Sequence, residues 1–309
     1  MGTALGIVYV VWGSTYLGIA IMVQTLPPLL AAGARYAFAG FVLLTILVLW
    51  SRVRGHPLER PSRRHWRSAI IIGTLLLLGG NGGVVLGEQR IASGIAALIV
   101  ATSPIWMAIF EALVAGQRPS RLAVGGLVAG TTGVAILVVP LEGSAPIDPL
   151  GILLVAGAAI SWSVGAIYAR RAPLPHSPFQ GAGLQMLAGG IVMLAVATAR
   201  GELTTVDPSA FSMNSLLALA YLIVFGSLIA FTAYIWLLNH VSVSVVSTSA
   251  YVNPVVAVAL GVVILSEPMA PRTLLAAVII IGAVVAMVTG RPRPMSEPEP
   301  SVEPEIESA

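Results

Sequence analysis

Several polar side chains lie in the middle of long apolar stretches of the sequence, where they could bind a ligand. Trp12 and Trp162 each stand inside such a stretch, and Asn81 lies in a third, between two pairs of glycines. Burying an amide or an indole N–H without a partner costs free energy on the order of kilocalories. The three side chains are therefore predicted to line one polar cavity. Packing of the two tryptophans in an apolar core is the alternative.

Two prolines, Pro104 and Pro254, lie in the interior of further apolar stretches. A proline removes one backbone hydrogen bond and exposes a carbonyl one turn earlier. In a membrane such groups are satisfied only beside a cavity or a packed neighbour. Helix breaks close to a ligand site are therefore predicted, with a simple structural kink as the alternative. The other residues predicted to contact the ligand are Tyr16, Thr102, Ser103, Tyr251 and Asn253.

Three charged residues at or near membrane depth could act as a gate or carry a coupling proton. Arg35 falls about 9 Å into its apolar stretch at 1.5 Å per residue. Glu88 closes a stretch on the same side, so an ion pair between the two is predicted. Glu111 lies three residues from the inner end of the stretch at 94–114 and is predicted to be an interfacial charge. A gating or coupling role is the alternative for each residue.

Catalytic and metal-binding constellations are missing from the sequence. The chain has no cysteine, its four histidines and both aspartates fall in predicted loops, and neither H-E-x-x-H nor G-x-S-x-G occurs. The sequence thus predicts no enzyme, no metal site and no cofactor. The basic residues are all arginines in short loops beside apolar stretches, where they indicate topology and not binding to nucleic acid.

The elements that must position these residues are membrane-spanning helices. Charged residues make up only 9% of the chain and hydrophobic residues 57%, whereas soluble domains contain roughly 25% charged residues. The apolar stretches are continuous and have the length of about 20 residues that a helix needs to cross the bilayer. Spans are predicted at 4–23, 29–50, 68–87, 94–114, 122–140, 150–169, 180–198, 215–238, 246–266 and 273–289.

The two halves of the chain align at an offset of 150 residues, which places Trp12 on Trp162 and Pro104 on Pro254. A repeat of five spans, an odd number, inserts its second copy upside down. The predicted fold is an all-α integral membrane protein with ten transmembrane helices arranged as two inverted five-helix repeats. The repeats cover residues 1–145 and 146–289, and residues 290–309, rich in Pro and Glu, are predicted to be a disordered cytoplasmic tail.

Two further patterns concern packing and orientation. Glycines four residues apart, at Gly79 and Gly83 and at Gly126 and Gly130, predict close helix contacts. Spans 5 and 10 lack deep polar residues and are predicted to be peripheral. With the N-terminus inside, twelve arginines fall in cytoplasmic segments and three in external loops. The bias predicts that both termini are cytoplasmic in a cell-membrane protein.

The chain resembles the EamA-type drug/metabolite transporter superfamily over about residues 4–289. The motifs that carry the resemblance are Trp12-Gly13-Ser14-Thr15-Tyr16, Arg35-Tyr36 with Ala39-Gly40, Ala92-Ser93-Gly94-Ile95-Ala96-Ala97 before Ser103-Pro104, Tyr251-Val252-Asn253-Pro254-Val255-Val256, and Glu267-Pro268. The resemblance implies a secondary transporter. It does not identify the substrate, because this scaffold handles amino acids, sugars, nucleotide precursors and drugs.

The predicted function is export of small neutral or zwitterionic metabolites, amino-acid-like or drug-like, by alternating access. A cavity of Trp, Tyr, Asn, Ser and Thr suits such molecules, whereas sugar phosphates require several deep basic groups and only Arg35 qualifies. A lipid or glycolipid flippase on the same scaffold is the alternative, with an intramembrane enzyme less favoured. The expected partners are a small-molecule substrate and the lipid bilayer. A homo-oligomer and the energy source are left open.

Overall fold

The computed structural model describes residues 2–55, 58–114, 116, 121–138, 147–240, 249–267 and 269–289. These residues form helices and connecting turns, and no strand occurs among them. In chain order the main helices are α1 (Gly2–Met22), α2 (Pro28–Arg54), α3 (Arg63–Gly87), α4 (Ser93–Val114), α5 (Arg121–Val138), α6 (Pro149–Ala169), α7 (Pro178–Ala199), α8 (Met213–Leu237), α9 (Ser249–Leu265) and α10 (Pro271–Thr289).

Seven helices in the described part of the chain are long and apolar enough to cross a membrane, namely α1 to α4 and α6 to α8. They coincide with the spans predicted at these positions to within a few residues. Shorter apolar segments occur in α5, α9 and α10. The predicted tail at 290–309 lies outside the described residues.

The helix starts carry the caps expected from their sequences. The carboxylate of Asp148 accepts from the backbone N–H of Leu150 at the start of α6, and the hydroxyl of Ser177 accepts from that of Gln180 at the start of α7. A proline occupies the first position of both helices, where its missing N–H has no helical partner anyway. These caps fix the ends of the two helices that begin the second half of the chain.

The contact between α2 and α7 is reciprocal. A Cβ atom at Gly40 would collide with the backbone of Leu187, and one at Gly190 would collide with the backbone of Ala37. The offset of 150 residues carries Gly40 onto Gly190 and Ala37 onto Leu187. Under this offset each of the two contacts is therefore carried onto the other.

Small residues also bring α3 and α6 together. A Cβ atom at Gly79 would collide with Ser161, and one at Gly83 would lie 2.8 Å from the Cβ atom of Ala158. In α5, Gly130 faces Ile105 of α4. The prediction of close helix contacts is confirmed at Gly79, Gly83 and Gly130.

Four helices contain irregular backbone. The π-helical stretches Val8–Trp12, Thr74–Gly82 and Leu222–Phe231 interrupt α1, α3 and α8. The fourth irregularity is a turn at Ala101 and Thr102, after which α4 resumes at Ser103. Widened helical turns are often found beside functional sites.

The expectation of a helix break holds for Pro104 and is wrong for Pro254. Pro104 directly follows the turn in α4, whereas α9 continues without interruption through Pro254. Pro254 removes the N–H donor for the carbonyl of Ala250 without interrupting α9.

Candidate functional site

A cavity of about 160 Å³, here called the central cavity, lies among seven of the helices. Its wall is formed by residues of α1, α2, α3, α4, α6, α8 and α9, with one further residue, Arg170, directly after α6. Among the described residues, none of α5, α7 or α10 belongs to the wall, which agrees with the peripheral position expected of α5 and α10. All three π-helical stretches and the turn in α4 border the central cavity.

Three aromatic side chains form the middle of the wall and are here called the aromatic cluster. Trp12 and Trp162 pack edge to face, with ring centroids 5.7 Å apart. Tyr234 lies 4.6 Å from Trp12 and 6.0 Å from Trp162 between the same centroids. The indole N–H of Trp12 donates to the carbonyl of Gly226 at 3.4 Å. The aromatic cluster therefore offers flat apolar faces to a ligand.

Sequence reasoning missed Tyr234. The equivalent position in the first half is Val84, which also lines the central cavity. The comparison of the two halves therefore gives no matching aromatic pair at Tyr234. Aromatic residues are also common in apolar spans, so Tyr234 alone does not indicate a ligand site.

Most of the residues selected from the sequence meet at the central cavity. Those in its wall are Trp12, Tyr16, Arg35, Asn81, Ser103, Pro104, Glu111, Trp162, Asn253 and Pro254. Thr102 and Glu88 are buried outside the wall, and the side chain of Tyr251 lies outside the described residues.

The hydroxyl groups before Pro104 satisfy the carbonyls at the break in α4. Ser103 donates through Oγ to the carbonyl of Val100 at 2.6 Å, which is the carbonyl that loses its donor to the proline. Ser163 of α6 donates to the carbonyl of Ser103 at 3.1 Å. Thr102 donates to the carbonyl of Ile99 at 2.7 Å. The break is therefore stable without a ligand.

The two asparagines in the wall differ in their bonding. With its amide oriented to satisfy both groups, Asn253 donates to the carbonyl of Tyr9 at 3.1 Å and to that of Ser249 at 3.3 Å. It thereby ties α9 to the π-helical stretch of α1. The Oδ1 atom of Asn81 is buried and has no hydrogen-bond partner in the described chain, so it can accept a bond from a ligand.

The predicted ion pair between Arg35 and Glu88 does not form. The Nε–H of Arg35 donates to Oγ of Ser227 at 2.8 Å, and its guanidinium carbon lies 4.6 Å from the centre of the Tyr36 ring. These contacts turn the side chain sideways towards α8 and away from the end of α3. Both carboxylate oxygens of Glu88 are buried without a partner among the described residues.

The two ends of the central cavity differ in the exposure of their wall residues, and the end at Arg35 is here called the closed end and the opposite end the open end. Glu111 and Arg170 form a salt bridge at 2.8 Å, and their side chains are 43% and 49% exposed, respectively. The position of Glu111 at a membrane interface stays a prediction. Arg35 is only 2% exposed. The wall therefore runs from a buried cation to a half-exposed ion pair.

A carboxylate joins α9 to α4 at the closed end. Oε1 of Glu267 accepts from the backbone N–H and the hydroxyl of Ser93, both at 2.8 Å. Oε2 accepts from the N–H of Gly94 at 3.3 Å. A carboxylate at a helix N-terminus satisfies N–H groups that have no helical partner. In the sequence Glu267 stands out only through the Glu267-Pro268 motif. The sequence does not show which backbone groups its carboxylate binds.

The described residues contain no group of three His, Asp or Glu side chains that could hold a metal ion. The arrangement is an amphipathic chamber with unused hydrogen-bonding groups on Arg35 and Asn81. Such a chamber can bind and orient a small molecule.

Comparison with known proteins gives consistent matches along the chain. The chain is 40% identical over 289 residues to the uncharacterized inner membrane transporter YedA of Escherichia coli K12, covering 93% of this chain and 90% of the relative. It is 27% identical over 263 residues to the uncharacterized transporter YvbV of Bacillus subtilis, covering 85% and 82%. It is 27% identical over 285 residues to protein PecM of Dickeya dadantii, covering 89% and 88%.

One solved crystal structure superposes with a TM-score of 0.62 at 20% identity, covering 92% of this chain and 94% of the other. A likeness at this identity concerns the fold alone. The model of the EamA-like transporter family matches residues 1–139 and 149–289. With seven apolar helices of spanning length, these matches describe a multi-pass membrane protein, and the chain belongs to the EamA-like transporter family.

Proposed function

We propose that this protein is a secondary transporter that exports small neutral or zwitterionic metabolites by alternating access. The observation that carries the proposal is the central cavity, whose wall runs from buried Arg35 at the closed end to the half-exposed Glu111–Arg170 pair at the open end. A site with one open end is what a transporter presents to one side of the membrane at a time.

The proposed architecture is ten spans in two inverted repeats, at residues 1–145 and 146–289. Two separate segments match the family model, which supports this division. The reciprocal contacts of Gly40 and Gly190 support a twofold relation between the halves. The arginine bias favours cytoplasmic termini, and the open end of the central cavity then faces the cytoplasm, where an exporter loads its substrate.

The proposed substrate contacts are those residues of the wall whose polar or aromatic groups can reach a ligand. The aromatic cluster would hold an apolar body, and the free Oδ1 of Asn81 would accept a bond from a donor group. The remaining proposed contacts are Tyr16, Ser103 and Asn253. Glu88 and Glu111 remain candidates for gating or coupling, and no catalytic role is proposed for the chain.

Metabolite profiling of cells tests the proposal. Cells that overproduce the wild-type protein should release at least one small amphipathic metabolite faster than cells with Trp12→Ala or Trp162→Ala, because each change removes a face of the aromatic cluster. Trp50→Ala is the matched control, since Trp50 is 59% exposed and lies outside the wall. Equal release by all four proteins would contradict the proposal.

Two further measurements separate the alternatives. Transfer of a fluorescent lipid across proteoliposomes by the wild type, lost in Trp12→Ala, would favour the flippase. Single cysteines in this cysteine-free chain should place the segment at 58–62 and the turn at Gly116 in the cytoplasm. Labelling of either from outside would reverse the proposed orientation.

A further inference from the structure

Arg35 brings a positive charge to the wall of the central cavity without a carboxylate partner in the described part of the chain. The bond from Nε to Ser227 is the one hydrogen bond of its guanidinium among these residues. The Nη1 atom is buried and has no partner. A guanidinium carries five N–H donors, so most of the donors of Arg35 are unused.

A buried charge without a counter-ion is unfavourable, because water that would solvate it has been removed. The ring of Tyr36 compensates only part of this cost through a cation–π contact. Arginine stays protonated in proteins, so it cannot escape the cost by losing its proton. An anion that enters the central cavity would supply the missing partner through charge-assisted bonds.

The other charges in the wall are already balanced. Glu111 and Arg170 pair with each other at 2.8 Å at the open end. Among the described residues no further Arg, Asp or Glu lines the central cavity. The wall therefore has one unbalanced positive charge, which matches a single carboxylate better than a doubly charged phosphate.

We infer that Arg35 binds the carboxylate of the transported molecule while the apolar body of that molecule packs against the aromatic cluster. The inference rests on the proposed transport function and specifies a carboxylate on the substrate, which favours zwitterions over uncharged molecules and admits small apolar monocarboxylates as well. Ser227 acts as a positioning residue, because its hydroxyl holds Nε and leaves the Nη atoms for the ligand.

Calorimetric binding to the purified protein tests the inference with two pairs of probes. The pairs are L-phenylalanine with L-phenylalaninol and hydrocinnamate with hydrocinnamyl alcohol, whose members differ only in a carboxylate against a CH₂OH group. The wild type should bind the acid about tenfold or more tightly than the alcohol in at least one pair. Arg35→Gln should remove the preference by weakening the binding of the acid, and Arg35→Lys should retain part of it.

Ser227→Ala provides a second measure in case a variant of buried Arg35 fails to fold. It keeps the charge but frees the guanidinium, so the preference for the acid should shrink without vanishing. Equal affinities in both pairs, no saturable binding of either acid at millimolar concentration, or a preference that survives in folded Arg35→Gln would overturn the inference. These outcomes leave export open, whereas the metabolite profiles test export independently of any carboxylate.

Discussion

Trp12 and Trp162 meet edge to face at the central cavity, with their ring planes at 85°, although they are separated by 150 residues. They occupy equivalent positions in the two halves of the sequence. The contact therefore brings the two halves of the chain together at the wall of the central cavity.

The contact between α2 and α7 is the scaffold of this arrangement, and Gly40→Ala tests it. The added Cβ atom would collide with the backbone of Leu187, which cannot move without shifting α7. We expect a loss of about 1–3 kcal/mol in the free energy of unfolding, seen as a lower melting temperature in detergent. Gly190→Ala should behave alike, because its Cβ would collide with the backbone of Ala37.

Gly157→Ala is the matched control for these glycines. Gly157 lies in α6 with no atom within 4 Å of its would-be Cβ, so the melting temperature should stay constant or rise slightly. A Gly40→Ala protein as stable as the wild type would show that α2 and α7 are not tightly packed.

The prolines should differ in their effect on transport. In the wild type the carbonyl of Val100 accepts from the hydroxyl of Ser103. Pro104→Ala supplies a backbone N–H that can donate to this carbonyl instead. It should straighten α4 and slow export several-fold at equal amounts of protein in the membrane. Pro254→Ala should have the smaller effect, because α9 is already continuous. Initial rates of efflux measure both, and a larger defect in Pro254→Ala would contradict this order.

The sequence predicts much of the fold because membrane insertion depends mainly on the residue types within a stretch of bilayer length. A stretch such as 150–169 is apolar over the length of a bilayer, and α6 occupies Pro149–Ala169. The match of Trp12 with Trp162 is informative because Trp is scarce in this chain, and the two residues are therefore predicted to line a cavity. Side-chain direction could not be predicted in this way. Arg35 and Glu88 were expected to pair from depth alone, and the partner of Arg35 is Ser227, a residue 192 positions away.

A contact between loops should give the protein a stability that depends on pH. The backbone N–H of His176 donates to Glu59, whose carboxylate also bonds the His176 ring, and these bonds lower the pKa of Glu59 from its usual 4.5. A lowered pKa in the folded state stabilises the contact above the unfolded pKa, and the effect is lost as the pH falls through the folded value.

Hydrogen exchange near His176 measures this contact. After correction for intrinsic rates, protection should fall as the pH drops below 4.5 and should be low at every pH in Glu59→Gln. Asp207→Asn is the control, because the pKa of Asp207 is lowered by Ser209 within its own turn. Its change should leave protection at His176 intact. Protection that does not depend on pH in the wild type would contradict the assignment.

Glu267 should hold the closed end of the central cavity shut. Its carboxylate bridges α9 to the first residues of α4, Ser93 and Gly94. Glu267→Gln keeps the shape but removes the charge, and a bond to a charged group contributes about 1.5–3 kcal/mol. The closed end should then open more often, and a cysteine at position 97 in the wall should react with an external, membrane-impermeant reagent about tenfold faster.

Glu202→Gln is the matched control for this experiment. The carboxylate of Glu202 also accepts from a backbone N–H in the first turn of a helix, namely the N–H of Leu30 in α2 at 2.9 Å. Unlike α4, α2 is held in place by the close glycine contacts with α7. Its loss should lower stability without increasing external labelling at position 97. If both variants label equally fast, the charge of Glu267 only caps a helix. If neither differs from the wild type, the bridge between α9 and α4 does not control access from that end.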